Sequence, residues 1–124
     1  MKLLTNEDKD KIFFIDLGDG DGTEGVYVRV VSDSEKDKMR AAHTSRKVTR
    51  HGVQENVDTT SLYHARLKRT ITDWVGFVDQ TGQVIPCTPE KIVELAELNS
   101  GLFAEIISKA DRLAEEGREA IEKN

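Results

Sequence analysis

The widest apolar pattern in this sequence lies near its C-terminal end, where Ile92, Val93, Leu95 and Leu98, then Leu102, Phe103, Ile106, Ile107 and Leu113, fill more than one helical stripe. Thr88-Pro89-Glu90 starts the first of these helices: Thr88 can cap it, Pro89 at the first helical position needs no donor, and Glu90 suits the positive end. Asn99-Ser100-Gly101 separates it from the second helix, which either polar residue can cap. Ala110, Ala114 and Ile121 continue the spacing, but the stripe fades after Leu113, so the charged tail 115–124 is expected to fray. Helices this apolar need something to cover. One stripe must close a core, and the excess either forms a groove for a partner helix or seals a small helical subdomain.

Short β-branched and aromatic runs supply the rest of that core. Ile12-Phe13-Phe14-Ile15-Asp16 and Val26-Tyr27-Val28-Arg29-Val30-Val31 read as strands, joined by the acidic, glycine-rich loop 17–25 into a flexible-tipped hairpin over 1–33. Ser32-Asp33-Ser34-Glu35 is a capping box ahead of a polar helix running to about Val48, whose nearly only apolar members are Met39, Ala41 and Ala42. Ser45 to Thr60 has no sustained apolar period and reads as a helix end and a mobile connection within 34–58. A second helix begins near Thr60 or Ser61, with Leu62, Ala65 and Ile71 near one face and Arg66, Lys68 and Arg69 toward its C-terminal half. Two apolar runs from Asp73 to Pro86, around an Asp79-x-x-Gly82 turn, predict a second, short central hairpin. The expectation is one α+β domain over 1–124, mainly helical, with 59–114 forming a helix, hairpin and two-helix unit.

Composition excludes several function classes. The net charge of -5 gives no global positive field toward nucleic acid or an anionic membrane, and the longest apolar runs reach only four or five residues, too short for a membrane span. Cys87 is the single cysteine, so no intramolecular disulfide forms; with an N-terminus that turns acidic after two leucines, this favours the cytoplasm. The acidic loop fails the calcium register: Gly22 at the invariant glycine puts Leu17 first and Val28 last, and Asp19 first puts Glu24 where glycine is required. Gly18-x-Gly20-x-Gly22 lacks the lysine of a phosphate loop and precedes a strand. His43, His51 and His64 have no ligand spacing, and Cys87 has no positioned base. No metal, cofactor or catalytic group is therefore expected. Arg46-Lys47-Val48-Thr49-Arg50-His51 is the best argument for nucleic acid, but it lacks interleaved aromatics and suits a solvated helix end or an acidic protein partner better.

The pattern Ile71-x-Asp73-Trp74-x-Gly76-x-x-Asp79-x-x-Gly82-x-x-Ile85-Pro86-x-Thr88-Pro89-Glu90, followed by two leucine- and isoleucine-rich helices, resembles the tail assembly chaperones of long-tailed bacteriophages and prophages. The N-terminal half fits it more loosely, through a strand pair ending in Tyr27-Val28-Arg29-Val30 and then a polar helix. The resemblance implies a non-enzymatic protein of the host cytoplasm that binds the tape measure protein, helps tail tube subunits surround it, and is absent from the finished virion. Helix-in-groove contacts would then come from residues 92–113, with Ile92, Leu95, Leu98, Leu102, Phe103, Ile106, Ile107 and Leu113 as candidate partner-binding residues. Trp74, Gly76, Gly82 and Pro86 read as structural. The alternative is a structural head–tail connector or tail completion protein that oligomerises into a ring.

Overall fold

The structure, a computed structural model, describes residue 5 and residues 10–115. The elements run β1 (Ile12–Asp16), β2 (Gly25–Arg29), α1 (Asp33–Ala42), β3 (Thr44–Thr49), β4 (Gly52–Val57), α2 (Thr59–Thr70), β5 (Ile71–Val75), α3 (Pro89–Leu98) and α4 (Ser100–Glu115). This is the α+β architecture the sequence implies. The charged tail beyond 115, with Ile121, lies outside the described residues, as does most of the stretch before residue 10.

Alternation builds the central sheet. Phe13 and Ile15 of β1 and Val26 and Val28 of β2 are buried on one face while Ile12, Phe14 and Tyr27 point the other way, as a period of two requires; Ile71 and Trp74 of β5, three apart, join the buried face because the ladder skips Thr72. The order is β1-β2-β5, antiparallel throughout, with an irregularity at Tyr27/Val28 where β2 meets β5. On the buried face lie Leu67 of α2, Ile92 and Ala96 of α3, and Phe103, Ile106, Ile107 and Ala110 of α4. Burying each large side chain of this set stabilises the fold by about 1.5–3 kcal/mol relative to leaving it in water.

The helix starts follow the expected chemistry. Ser32 Oγ accepts from Glu35 N–H, Asp58 from Ser61 N–H, and Thr88 from Lys91 N–H, with Pro89 opening α3. Helix α1 buries no side chain and is tied down by charge instead. The Glu35 carboxylate accepts from Arg69 at 2.6 and 3.2 Å, and Lys36 reaches Asp111, which also accepts from Arg66.

Four expectations are corrected. Helix α1 stops at Ala42 rather than near Val48, and the connection expected to be mobile is a hydrogen-bonded ribbon, β3–β4, closed at its base by Asp58 N–H to His43 O at 2.8 Å. Thr44, Val48, Thr49, Val53 and Val57 are β-branched and favour extended backbone, which outweighs the missing apolar period. Ile71 ends no helical stripe; it begins β5, whose ladder on β2 buries it in the core. The second hairpin also pairs differently, because its first run joins β2, and a Val78↔Val84 bridge and the Trp74 indole link it to its own return segment. Within the expected β1–β2 hairpin, the 17–25 loop is built around Asp16, whose carboxylate accepts from the backbone N–H groups of Gly18, Gly20 and Gly22.

Candidate functional site

The apolar excess of α3 and α4 opens onto a cleft of about 320 Å³ between these helices and the turn after β5. Leu95, Leu102 and Phe103 line the helical side, and Phe77, Val78 and Ile85 the opposite wall, with Leu17 and Glu24 at one end. Each wall has a local cause. On α3, Ile92 and Ala96 face the core, which places Leu95 at the cleft and sends Leu98 to solvent, 75% exposed. Asn99 then ends the helix: its N–H and side-chain amide both donate to Leu95 O, at 2.7 and 3.0 Å, so that side chain finishes α3 rather than capping α4.

The opposite wall hangs from Trp74. Its indole N–H donates to Ile85 O at 2.7 Å and its ring stacks on Phe77 at 4.9 Å, pinning both strands of the turn to the sheet. Gly76 sits at φ +80°, and a Cβ there would run into the Thr23 carbonyl and Glu24, so only glycine lets the turn lie against the β1–β2 loop. Leu17 N–H donates to Glu24 O at 2.9 Å, which holds Glu24 at the end of a cleft whose other polar side chain is Asn99. Asp79 organises the tip: its carboxylate accepts from the Thr81 hydroxyl and the N–H groups of Thr81 and Gln83, and these bonds hold it below the usual carboxylate range.

The eight candidate partner-binding residues therefore divide. Ile92, Phe103, Ile106 and Ile107 are core, Phe103 alone of these also touching the cleft; Leu95 and Leu113 are half-buried; Leu98 and Leu102 are exposed, Leu102 at 36%. The accessible apolar surface of the cleft is Leu102 and Val78, while Leu98 and Val84 are exposed in the two elements that form its walls. Sequence reading placed the helical side and missed Leu17, Glu24, Phe77 and Ile85. Of these, Phe77 and Ile85 carried a signal, since they flank the Asp79-x-x-Gly82 turn that brings them together.

The remaining chemistry is mild. Burial, with the Asp73 charge adding to it, pushes the Cys87 thiol up to about 11, so it is a protonated, poor nucleophile at neutral pH. Among the described residues no group of three or more His, Cys, Asp or Glu side chains is placed to hold a metal ion, and no helix is long and apolar enough to cross a membrane.

The YdaY prophage protein family model matches residues 30–124, which span every element from α1 onward and all of the cleft except Leu17 and Glu24. The chain belongs to the YdaY prophage protein family. No curated protein and no solved structure matches it. The family carries the prophage character that the resemblance implied.

Proposed function

We propose that this prophage protein is a tail assembly chaperone, acting in the host cytoplasm without catalysis of its own, that binds an apolar-striped helix of the tape measure protein and promotes assembly of tail tube subunits around it. The observation that carries the reading is the cleft: Leu95 and Leu102 on one wall and Phe77, Val78 and Ile85 on the other, with Leu98 and Val84 exposed on the same two elements. A groove of this kind accepts the apolar face of an amphipathic helix, and its acidic end keeps the complex soluble and selects for basic flanks on the client. Anything that shields a client's stripe reversibly must bind it without burying it for good, which suits a shallow cleft better than a deep cavity.

Co-expression with the tape measure protein of the same prophage tests the reading. The two are expected to co-purify, and Leu98→Glu with Leu102→Glu to abolish the complex while leaving helical content intact. Independent purification of the pair, together with normal tail assembly in a deletion strain, would reject it. The second reading, a head–tail connector or tail completion protein, is favoured by one observation, the projecting β3–β4 ribbon, because such an element suits contacts between neighbouring subunits. Mass spectrometry of purified particles separates the two, since a connector stays in the virion and a chaperone does not.

A further inference from the structure

The β3–β4 ribbon packs chiefly on itself, and its residues are exposed or half-buried throughout. Its register pairs Thr44 with Val57, Arg46 with Glu55, and Val48 with Val53, so these six side chains share one face, and Ser45, Lys47, Gln54 and Asn56 share the other. The first face is apolar at its outer end, where Val48 is 83% and Val53 61% exposed. Arg46 and Glu55 on that face neutralise each other at 3.1 Å, while Lys47 on the opposite face and Arg50 in the turn are exposed. An isolated two-stranded ribbon is at best marginally stable in water, and a valine pair at its tip adds an uncovered apolar patch.

The same molecule presents a complementary surface. Arg46, Lys47 and Arg50 against Glu55 give the ribbon a charge of +2 within a chain of -5, which leaves -7 on the rest. The cleft joins apolar walls to an acidic end, Glu24, in a β1–β2 loop that also carries the exposed Asp19 and Asp21. A duplex of nucleic acid fits the ribbon less well, because the face that a groove would meet has its arginine paired and valines at its outer end.

We propose that the β3–β4 ribbon of one chain docks through Val48 and Val53 into the α3–α4 cleft of a second copy of this chain, with Arg50, in the turn beside the valine pair, against that copy's Glu24. Ribbon and cleft are different patches, so the contact is head-to-tail and repeats into a ring or an open string rather than closing as a twofold dimer. The inference rests on the cleft being a docking surface, as in the proposed function, but it requires no tail protein. The ribbon would then occupy the cleft until a client helix displaces it.

Sedimentation velocity of the purified full chain alone therefore tests it apart from client binding. The wild-type chain is expected to associate as its concentration rises, less so at high salt. Val48→Glu with Val53→Glu, and separately Leu102→Glu, should each weaken association about tenfold or more, because each places a carboxylate on an apolar contact. An equimolar mixture of the two variants should recover a one-to-one complex, each supplying the half the other lacks. Circular dichroism checks their folding, and Val78→Glu, on the opposite cleft wall, replaces Leu102→Glu if the latter unfolds. A wild-type chain that stays monomeric, a ribbon variant that associates normally, or a mixture that fails to pair overturns the proposal. So does a monomeric chain that retards duplex DNA in a manner lost with Lys47→Glu and Arg50→Glu.

Discussion

Val26 and Val28 in β2 and Val48 and Val53 in the β3–β4 ribbon have the same side chain in the same extended backbone. Yet the first two are fully buried and the second two are 83% and 61% exposed. The sheet β1-β2-β5 has α2, α3 and α4 over one face, whereas the ribbon packs chiefly on itself, with α1 beside its base and its valine end exposed. Strand propensity forms both ladders; only the cover converts a ladder into stability. The contrast also separates two kinds of apolar surface, one that holds the fold together and one that is available to another molecule.

The largest expected effect lies in the covered region. Phe103→Ala removes a buried ring from the α4–sheet contact and should lower the unfolding free energy by about 3–5 kcal/mol in a urea titration. Val48→Ala, the matching test in the ribbon, should stay within about 0.5 kcal/mol of wild type. Equal losses would erase the distinction between the two regions. Next in size, Gly76→Ala forces a side chain into the left-handed region and against Thr23 and Glu24, so a loss of about 1–3 kcal/mol is expected, with the cleft wall displaced. Pairing that variant with the tape measure protein sharpens the comparison, because binding should fall further than stability alone explains.

Acid should act on both regions through their turns and caps. Asp58 at the base of the ribbon, Asp79 at the cleft tip and Asp21 in the β1–β2 loop are each held below the ordinary value of 3.8, by Ser61, Thr81 and Thr23 respectively, as hydrogen-bond donors. Their pKa is lower in the folded chain than in the unfolded one, so the unfolded state binds more protons as the pH drops. The stabilisation is fully present above the unfolded value and is lost as the pH falls through 3.8 toward the folded values. Thermal melts from pH 7 to pH 2 should show this decline, and Asp79→Ala should flatten part of it. The smallest effect is kinetic: amide exchange in β3 and β4 should be faster than in β2, and a ribbon as protected as β2 in the monomer would show that something already covers it.

What could be read before the fold was known followed the range of the interaction. The caps at Ser32 and Thr88, Pro89 at the start of α3, and the break at Asn99 depend on neighbours three or four residues away, and all were legible. Ile71 and the 45–57 stretch were not. A helical spacing that includes Ile71 competes with a ladder on β2, about forty residues earlier in the chain, and no local pattern reports that partner. The ribbon was missed because its alternation is written in threonine, arginine and valine over a surface left mostly exposed, so there was no apolar period to find.

The sequence by itself determined where helices begin, which segments can extend, and that the C-terminal helices carry more apolar surface than one stripe needs, because these are properties of neighbouring residues and of side-chain spacing. Tertiary structure alone decided which of the eight candidate residues remain outside. Ile92, Phe103, Ile106 and Ile107 went to the core, and Leu98 and Leu102 stayed exposed. Burial is a relation between distant elements: the rotation of α3 and α4 over the sheet, and the turn that Trp74 and Gly76 hold against them, leave a cleft that no single stretch of the chain encodes.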